Sequence, residues 1–136
     1  MEFIVAGAPR SANANPRSRR RRWRARVSQA ARERLQEESG PTNQDVAVLI
    51  IYFYQGETFV DVDNIAKSLL DGLKGVLFRD DQQVSELLVR KSRLIAGLSL
   101  TGASPYLLDA IERMSQAGSD FVYVRADPAP DHSRIP

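Results

Sequence analysis

The chain has 136 residues, of which 43% are apolar and 26% charged, with a formal net charge of +2, values typical of one compact domain. It has no cysteine and one histidine, His132, which excludes disulfides, thiolate zinc sites and cysteine nucleophiles and leaves little for serine–histidine catalysis. No apolar run approaches the roughly 20 residues of a membrane-spanning helix, and the N-terminus lacks the basic region of a signal peptide. We therefore expect a cytoplasmic protein without a membrane partner, whose chemistry uses carboxylates, lysine, arginine, tyrosine or serine.

Apolar periodicity and turn residues predict alternating strands and helices. Strands are expected over Glu2–Gly7, Asp45–Gln55, Val84–Ala96 and Asp120–Ala126. Helices are expected over Arg20–Ser39, from Asp63 or Asn64 to Lys74, and over Ser104–Ala117. The β-α-β-α-β-α-β order predicts a single small α/β layer domain over residues 1–126, in which a mixed sheet of about four strands packs with helices. Residues 127–136 contain three prolines and are predicted to form a flexible tail.

Two of these segments bear most directly on function. The run VAVLIIYFY within Asp45–Gln55 predicts a central strand buried on both faces. Ala8–Arg22 is rich in Pro, Ser, Asn and Arg and predicts a loop. In the helix that follows, the apolar stripe begins at Trp23, which favours a core position for this side chain over stacking on a nucleic-acid base.

The positive charge is concentrated in one short segment. Residues 17–26 contain seven arginines and no acidic residue, so the remainder of the chain carries a net charge of −5. Because so dense a cluster repels itself in the absence of a polyanion, nucleic-acid binding is favoured over a simply solvated helix face. The predicted nucleic-acid-binding residues are Arg17, Arg19, Arg20, Arg21, Arg22, Arg24 and Arg26.

The acidic residues of the stretch FVDVDNIAKSLLDGLKGVLFRDDQQV form a second constellation. Asp61 and Asp63 share a side of an extended segment at the start of a helix, and Lys67 returns to the face of Asp63 one turn later. A short return after the helix would bring Asp80-Asp81 back beside them. Three carboxylates and one ammonium would suit Mg²⁺ or Mn²⁺ and phosphodiester hydrolysis. Helix capping and an ordinary polar turn are the competing interpretation.

The pattern D-V-D-N-I-x-K-x-x-x-D-x-L, followed by D-D-x-x-V, resembles the signature of RusA-type Holliday-junction resolvases. The opening is similar too, since a short strand leads into residues 9–13, which resemble the Pro-Ser-Asn loop of that family. The resemblance covers roughly residues 3–95. It implies that Asp61, Asp63 and Asp81 are catalytic metal-binding carboxylates and that Lys67 is the essential lysine.

The same resemblance implies a homodimeric, Mg²⁺-dependent endonuclease that hydrolyses branched DNA such as Holliday junctions, with Mn²⁺ as a possible substitute. Either Asp80 or Asp81 could be the third ligand, and we favour Asp81. Asp71 matches another motif position, where an ion pair with Lys67 or Lys74 is expected. The alternatives are a non-catalytic nucleic-acid-binding protein and a nuclease acting on flaps or single strands.

Three departures from the family pattern bear on the substrate. Residues 57–60 stand where a basic stretch is expected before the first aspartate, which keeps the alternative substrates open. The segment between Asp63 and the second acidic pair is slightly short. The helix Ser104–Ala117 resembles an insertion before the last strand.

Overall fold

The structure is a computed structural model that describes residues 1–9, 17–35, 40–58, 60–95 and 97–135. Strands and helices alternate along the chain, in the predicted order. The strands are β1 (Glu2–Ala6), β2 (Val46–Tyr54), β3 (Val84–Arg93) and β4 (Phe121–Pro128). The helices are α1 (Arg17–Leu35), α2 (Val62–Leu73) and α3 (Pro105–Ala117), and a single 3-10 turn spans Asp81–Gln83.

The four strands form one mixed sheet in the order β1-β4-β2-β3. Strand β4 runs antiparallel to both β1 and β2, whereas β2 and β3 are parallel. Helix α2 connects the parallel pair, because parallel neighbours need a crossover rather than a hairpin. The predicted α/β class and the four-stranded mixed sheet are therefore confirmed, and β2 is an inner strand as expected.

The helices cover the two faces of the sheet unequally. Apolar side chains of α1 and α2, among them Trp23 and Leu69, pack with Ile50 of β2 in one core. On the opposite face, Leu107 of α3 packs with Phe53 in a second core. The alternation of side chains along β2 explains why neighbouring residues of one strand supply both cores. The apolar run in β2 thus reflects burial on both faces.

Helices α1 and α2 touch closely and run in the same direction where they meet. Trp23 is 2% exposed, and its indole Nε1 donates to Ser68 Oγ at 3.3 Å. Four residues further along each helix, Val27 lies directly against Gly72. The burial of Trp23 confirms the core position that its place on the apolar stripe favoured.

The start of α1 corrects the sequence prediction. The sequence predicts the helix from Arg20 and places residues 17–19 only in the loop Ala8–Arg22, but α1 already begins at Arg17. Arginine is a good helix former, so the helix extends toward the N-terminus well beyond the apolar stripe that revealed it. The rest of that predicted loop, residues 10–16, and the predicted helix end over residues 36–39 lie outside the described residues.

Strand and helix ends elsewhere differ by small amounts. Strand β3 ends at Arg93 rather than at Ala96, which itself is outside the described residues. Strand β4 continues to Pro128, two residues beyond its predicted end. The predicted start of α3 is confirmed, since Ser104 Oγ accepts from Leu107 N at 3.1 Å with Pro105 in the first turn. Across the described ranges, no helix is both long and apolar enough to cross a membrane.

Candidate active site

The first acidic pair lies at the beginning of α2. The helix begins at Val62, so Asp61 rather than Asp63 or Asn64 is the N-cap residue. The Asp61 carbonyl accepts from Ile65 N at 3.0 Å, while its carboxylate makes no capping hydrogen bond. Asp63 therefore lies within the first helical turn, where the positive end of the helix dipole favours a carboxylate.

Helix α2 presents a charged stripe. Asp63, Lys67 and Asp71 are spaced by four residues, and all three line one open cavity between α2 and β3. The prediction that Lys67 returns to the face of Asp63 is confirmed by this shared wall. Among the described residues, Asp71 forms neither of the ion pairs expected with Lys67 or Lys74, and Lys74 Nζ instead lies 3.9 Å from Asp80.

The second acidic pair divides into two roles. Asp80 caps the 3-10 turn: its Oδ1 accepts from Gln82 N at 3.0 Å, and Gln83 Oε1 accepts in return from Asp80 N at 3.0 Å. This is a capping box. Asp81, the first residue of that turn, lines the same cavity as Asp63 and Lys67. The backbone of the turn thus engages the Asp80 carboxylate in a hydrogen bond, whereas Asp81 lines the cavity beside α2.

The cavity has a volume of about 650 Å³ and walls of two kinds. The charged part consists of three carboxylates and one ammonium. The remainder of the wall is apolar, and the sequence prediction did not include it. The apolar residues at helical spacing on α2 and the run Leu87–Val89 could have indicated such a wall. These apolar residues are Val62, Ala66, Leu70, Leu87, Leu88 and Val89. Asp61 is not among the described residues that line this cavity.

The donor atoms suit a hard divalent cation. Carboxylate oxygens are the ligands that Mg²⁺ and Mn²⁺ prefer, and Asp63 and Asp81 are both exposed to solvent. Across the described ranges, no three acidic or histidine side chains already stand close enough together to hold a metal ion. The chemistry of the site therefore fits such an ion, and binding it would draw the carboxylates together.

The arginine-rich end of α1 lies at the same end of the helix pair as Asp61 and Asp63. This follows from the contacts of Trp23 with Ser68 and of Val27 with Gly72, which show that the two helices run in parallel. Arg17 precedes Trp23 by six residues, or about 9 Å of helix, and Asp63 precedes Ser68 by about 7.5 Å. The positive helix end and the acidic helix start are therefore neighbours.

The arginines of this segment do not all have the same surroundings. Five of them are exposed, whereas Arg20 and Arg24 are half-buried. The Arg26 guanidinium donates to the Ala6 carbonyl and lies 5.7 Å from the centre of the Trp23 ring. Arg26 thus ties α1 to the end of β1, a structural role alongside the predicted DNA contact. The exposed arginines are Arg17, Arg19, Arg21, Arg22 and Arg26.

Other titratable residues take structural positions. Tyr52 is buried and its hydroxyl donates to Asp120 Oδ2 at 2.8 Å, and burial raises the pKa of that hydroxyl above its usual range. Tyr52 thus packs in the core, on the strand that the sequence predicted to be buried on both faces. His132 Nε2 lies 3.2 Å from Glu86 Oε2, and neither residue is among the described residues that line the cavity.

A cavity that combines carboxylates with one lysine, next to an arginine-rich helix, is the kind of site found in metal-dependent enzymes that cleave phosphodiesters. Comparison with known families agrees with this class. The family described as "Endodeoxyribonuclease RusA" matches residues 8–97, about two thirds of the chain. The chain belongs to the RusA endodeoxyribonuclease family. No individual curated protein gives a significant match.

Proposed function

We propose that the chain is a divalent-metal-dependent endonuclease that hydrolyses phosphodiesters of branched DNA, with four-way junctions as the preferred substrate. The observation that supports this best is the shared cavity of Asp63, Lys67 and Asp81. Every residue that lines this cavity falls within residues 8–97, the part of the chain that matches the family. The proposed chemistry therefore belongs to the part of the chain that defines its family.

Asp63 and Asp81 would hold the metal ion, with Asp61 as a third ligand. The Asp61 side chain makes no capping hydrogen bond, so its carboxylate can rotate toward the cavity without loss of a helix cap. A Mg²⁺ or Mn²⁺ ion, when bound, polarises the phosphodiester and lowers the pKa of a water molecule. The assignment of Asp81 rather than Asp80 is supported by the capping box that already uses Asp80.

Lys67 and the arginines of α1 act on the phosphates themselves. Lys67 lies one helical turn from Asp63 on the cavity wall, where its ammonium would stabilise negative charge that develops on the scissile phosphate. The exposed arginines at the start of α1 would hold the DNA backbone next to the start of α2. Symmetric incision of a junction requires two such sites, which favours a homodimer.

The test is cleavage of an end-labelled four-way junction in Mg²⁺ and in EDTA, beside a matched duplex, a flap and a single strand. Asp63→Asn should abolish the metal-dependent nicks and retain junction binding, since the change removes one ligand charge but not the arginines. Asp109→Asn is the matched control, because Asp109 is exposed on α3 and pairs with Arg113. This control should cleave as the unmodified chain does.

The remaining outcomes separate the alternatives. Metal-dependent cleavage confined to the flap or single strand would retain the site and replace the junction with another DNA substrate. Salt-sensitive DNA binding without cleavage in Mg²⁺ or Mn²⁺ would contradict the nuclease proposal and favour a binding protein. Equal cleavage by Asp63→Asn and Asp109→Asn would move the active site away from this cavity.

A further inference from the structure

The carboxyl-terminal half of strand β3 carries three exposed basic residues, Arg90, Lys91 and Arg93. Successive side chains of a strand point to opposite faces of the sheet. Lys91 is in register with Tyr52, which belongs to the core beneath α1 and α2. Arg90 is in register with Ile51, which belongs to the core beneath α3. Lys91 therefore shares a face with the α2–β3 cavity, whereas its neighbour Arg90 lies on the other face.

The two basic residues on the cavity face differ in their contacts. Arg93 is in register with Tyr54, and its guanidinium lies 5.1 Å from the centre of the Tyr54 ring. Arg93 also donates to the Gly56 carbonyl at 3.0 Å, so it attaches the end of β3 to the end of β2. Among the described residues, Lys91 has no hydrogen-bond or ion-pair partner. Its exposed ammonium therefore has no structural role in holding the sheet together.

Lys91 lies at the same end of the sheet as the acidic start of α2. Thr42, just before β2, donates its backbone N–H to the carbonyl of Leu77, just after α2, at 3.0 Å. Helix α2 thus ends beside the beginning of β2 and begins beside the carboxyl ends of β2 and β3. Val89, two residues before Lys91 on the same face, lines the cavity together with Asp63. Open α/β sheets commonly bind their ligands at the carboxyl ends of parallel strands.

Positive charge lies on both sides of that acidic start. Helix α1 is attached to β1 by the hydrogen bond from Arg26 to the Ala6 carbonyl, and β1 and β3 are the two edges of the sheet. Helix α2 lies between, because Gly72 contacts Val27 of α1 on one side and the cavity separates α2 from β3 on the other. The row from α1 to β3 spans three strand spacings, roughly 14 Å. Phosphates follow one another every 3.4 Å or so along one DNA strand, so this row matches about four of them.

We propose that Lys91 binds a backbone phosphate of the DNA substrate, and that the DNA strand crosses the start of α2 from the exposed arginines of α1 to Lys91. This inference rests on the proposed function and adds a substrate-binding residue to the same site. Basic groups on both sides offset the repulsion between the DNA and the carboxylates of Asp61 and Asp63. The competing role of Lys91 is protection of an edge strand by a charge, a role that Arg90 would share.

Binding in EDTA tests the contact without cleavage. Fluorescence anisotropy of a labelled four-way junction is followed over a series of salt concentrations. Lys91→Ala should reduce the slope of log K against log salt by roughly one unit and raise Kd about fivefold to tenfold at about 0.1 M salt. Arg90→Ala is the matched control, since it removes the same charge from the adjacent position on the other face, and it should change neither value. Lys91→Arg retains the charge and should restore both, and circular dichroism verifies that each variant is folded.

Single neutral methylphosphonates locate the phosphate that Lys91 contacts. Placed at successive positions of one junction strand, one of them should weaken binding by the unmodified chain and by Arg90→Ala but not by Lys91→Ala, because one contact cannot be lost twice. The same comparison with Arg17→Ala should identify a second phosphate. The two phosphates should lie on opposite sides of the cleavage position, since the start of α2 lies between Arg17 and Lys91.

The outcomes decide the proposal. Equal effects of Lys91→Ala and Arg90→Ala, or a methylphosphonate profile that Lys91→Ala leaves unchanged, would overturn the contact, and two phosphates on one side of the cleavage position would overturn the path. With saturating enzyme, Lys91→Ala should keep the single-turnover rate within about twofold, because only binding is lost; a larger fall would overturn its assignment as a binding residue. Absence of cleavage in Mg²⁺ and Mn²⁺ would contradict the nuclease proposal alone, since the measurements in EDTA still decide the role of Lys91. A chain that binds no junction would contradict both.

Discussion

Replacement of Gly72 by alanine tests the contact that places the arginine-rich helix beside the acidic one. A Cβ atom at this position would lie 2.7 Å from Val27 Cβ and Cγ1 and 3.2 Å from the Arg24 carbonyl oxygen. Ordinary van der Waals contact begins at 3.4 Å. Val27 is fully buried, so neither its side chain nor the backbone of α1 has open space into which to move.

The expected magnitude combines two opposing effects. Overpacking of a buried contact costs about 1–3 kcal/mol, whereas alanine in a helix interior is favoured over glycine by about 1 kcal/mol. The short distances make the first effect the larger. We therefore expect Gly72→Ala to lower the free energy of unfolding by about 1–2 kcal/mol, which corresponds to a fall in Tm of roughly 3–8 °C for a domain of this size.

Thermal and urea unfolding followed by circular dichroism would measure this change. Gly56→Ala is the control, since no atom lies within 4 Å of a Cβ built there, and it should change stability by less than about 0.5 kcal/mol. Val27→Ala in the Gly72→Ala background should cost less than Val27→Ala alone, because the added methyl group then occupies the vacated space. A stabilised Gly72→Ala variant would refute the close approach of α1 and α2.

Three further results are expected from the site and the core. Lys67→Ala should lower the single-turnover rate of junction cleavage by about 10²–10³ with little change in binding; equal losses in both would contradict a role in the reaction. Triple replacement of Arg17, Arg19 and Arg21 by alanine should reduce the slope of log K against log salt by roughly 3 units, measured by fluorescence anisotropy; an unchanged slope would place the DNA elsewhere. Burial and a hydrogen bond to a carboxylate raise the pKa of the Tyr123 hydroxyl from 10.0 to about 12. The folded state holds the Tyr123 proton more tightly than the unfolded state does. The resulting contribution to the free energy of unfolding is complete below pH 10 and is lost as the pH rises toward 12. Tyr123→Phe should make urea stability fall less steeply across that interval, and an unaltered pH profile would contradict the shift.

The elements of the fold were largely predictable because local patterns and tertiary burial agree. The alternating and continuous apolar runs identified all four strands, and Ser104-Pro105 marked the start of α3 correctly. The start of α1 was placed too late. Periodicity detects only the buried stripe, which begins at Trp23, whereas the helix begins at Arg17. A helical segment that projects beyond its apolar contacts leaves no periodic signal.

Part of the arrangement of the candidate site residues was predictable from their spacing. Spacing of four residues correctly placed Asp63 and Lys67 on one face of α2. The sequence left both Asp80 and Asp81 open as the third ligand, with Asp81 favoured, and the capping box that involves Gln83 supports the proposal of Asp81. The start of α2 was placed one or two residues late, at Asp63 or Asn64, although Asp61 is the N-cap residue. Residue types that can cap a helix stand at three of the four positions 61–64, and helix boundaries are commonly uncertain by one or two residues.

The position of Asp61 carries the most information about how the site would assemble. Asp61 precedes α2 in extended backbone, while Asp63 is already helical, and of these two residues Asp63 alone is among the described residues that line the cavity. In the proposed metal site the Asp61 carboxylate would have to approach those of Asp63 and Asp81, and these like charges repel each other. The positive charge of the bound ion would offset this repulsion between the carboxylates. The open cavity, the uncapped Asp61 carboxylate and the exposed Asp81 are consistent with a centre whose order depends on its metal.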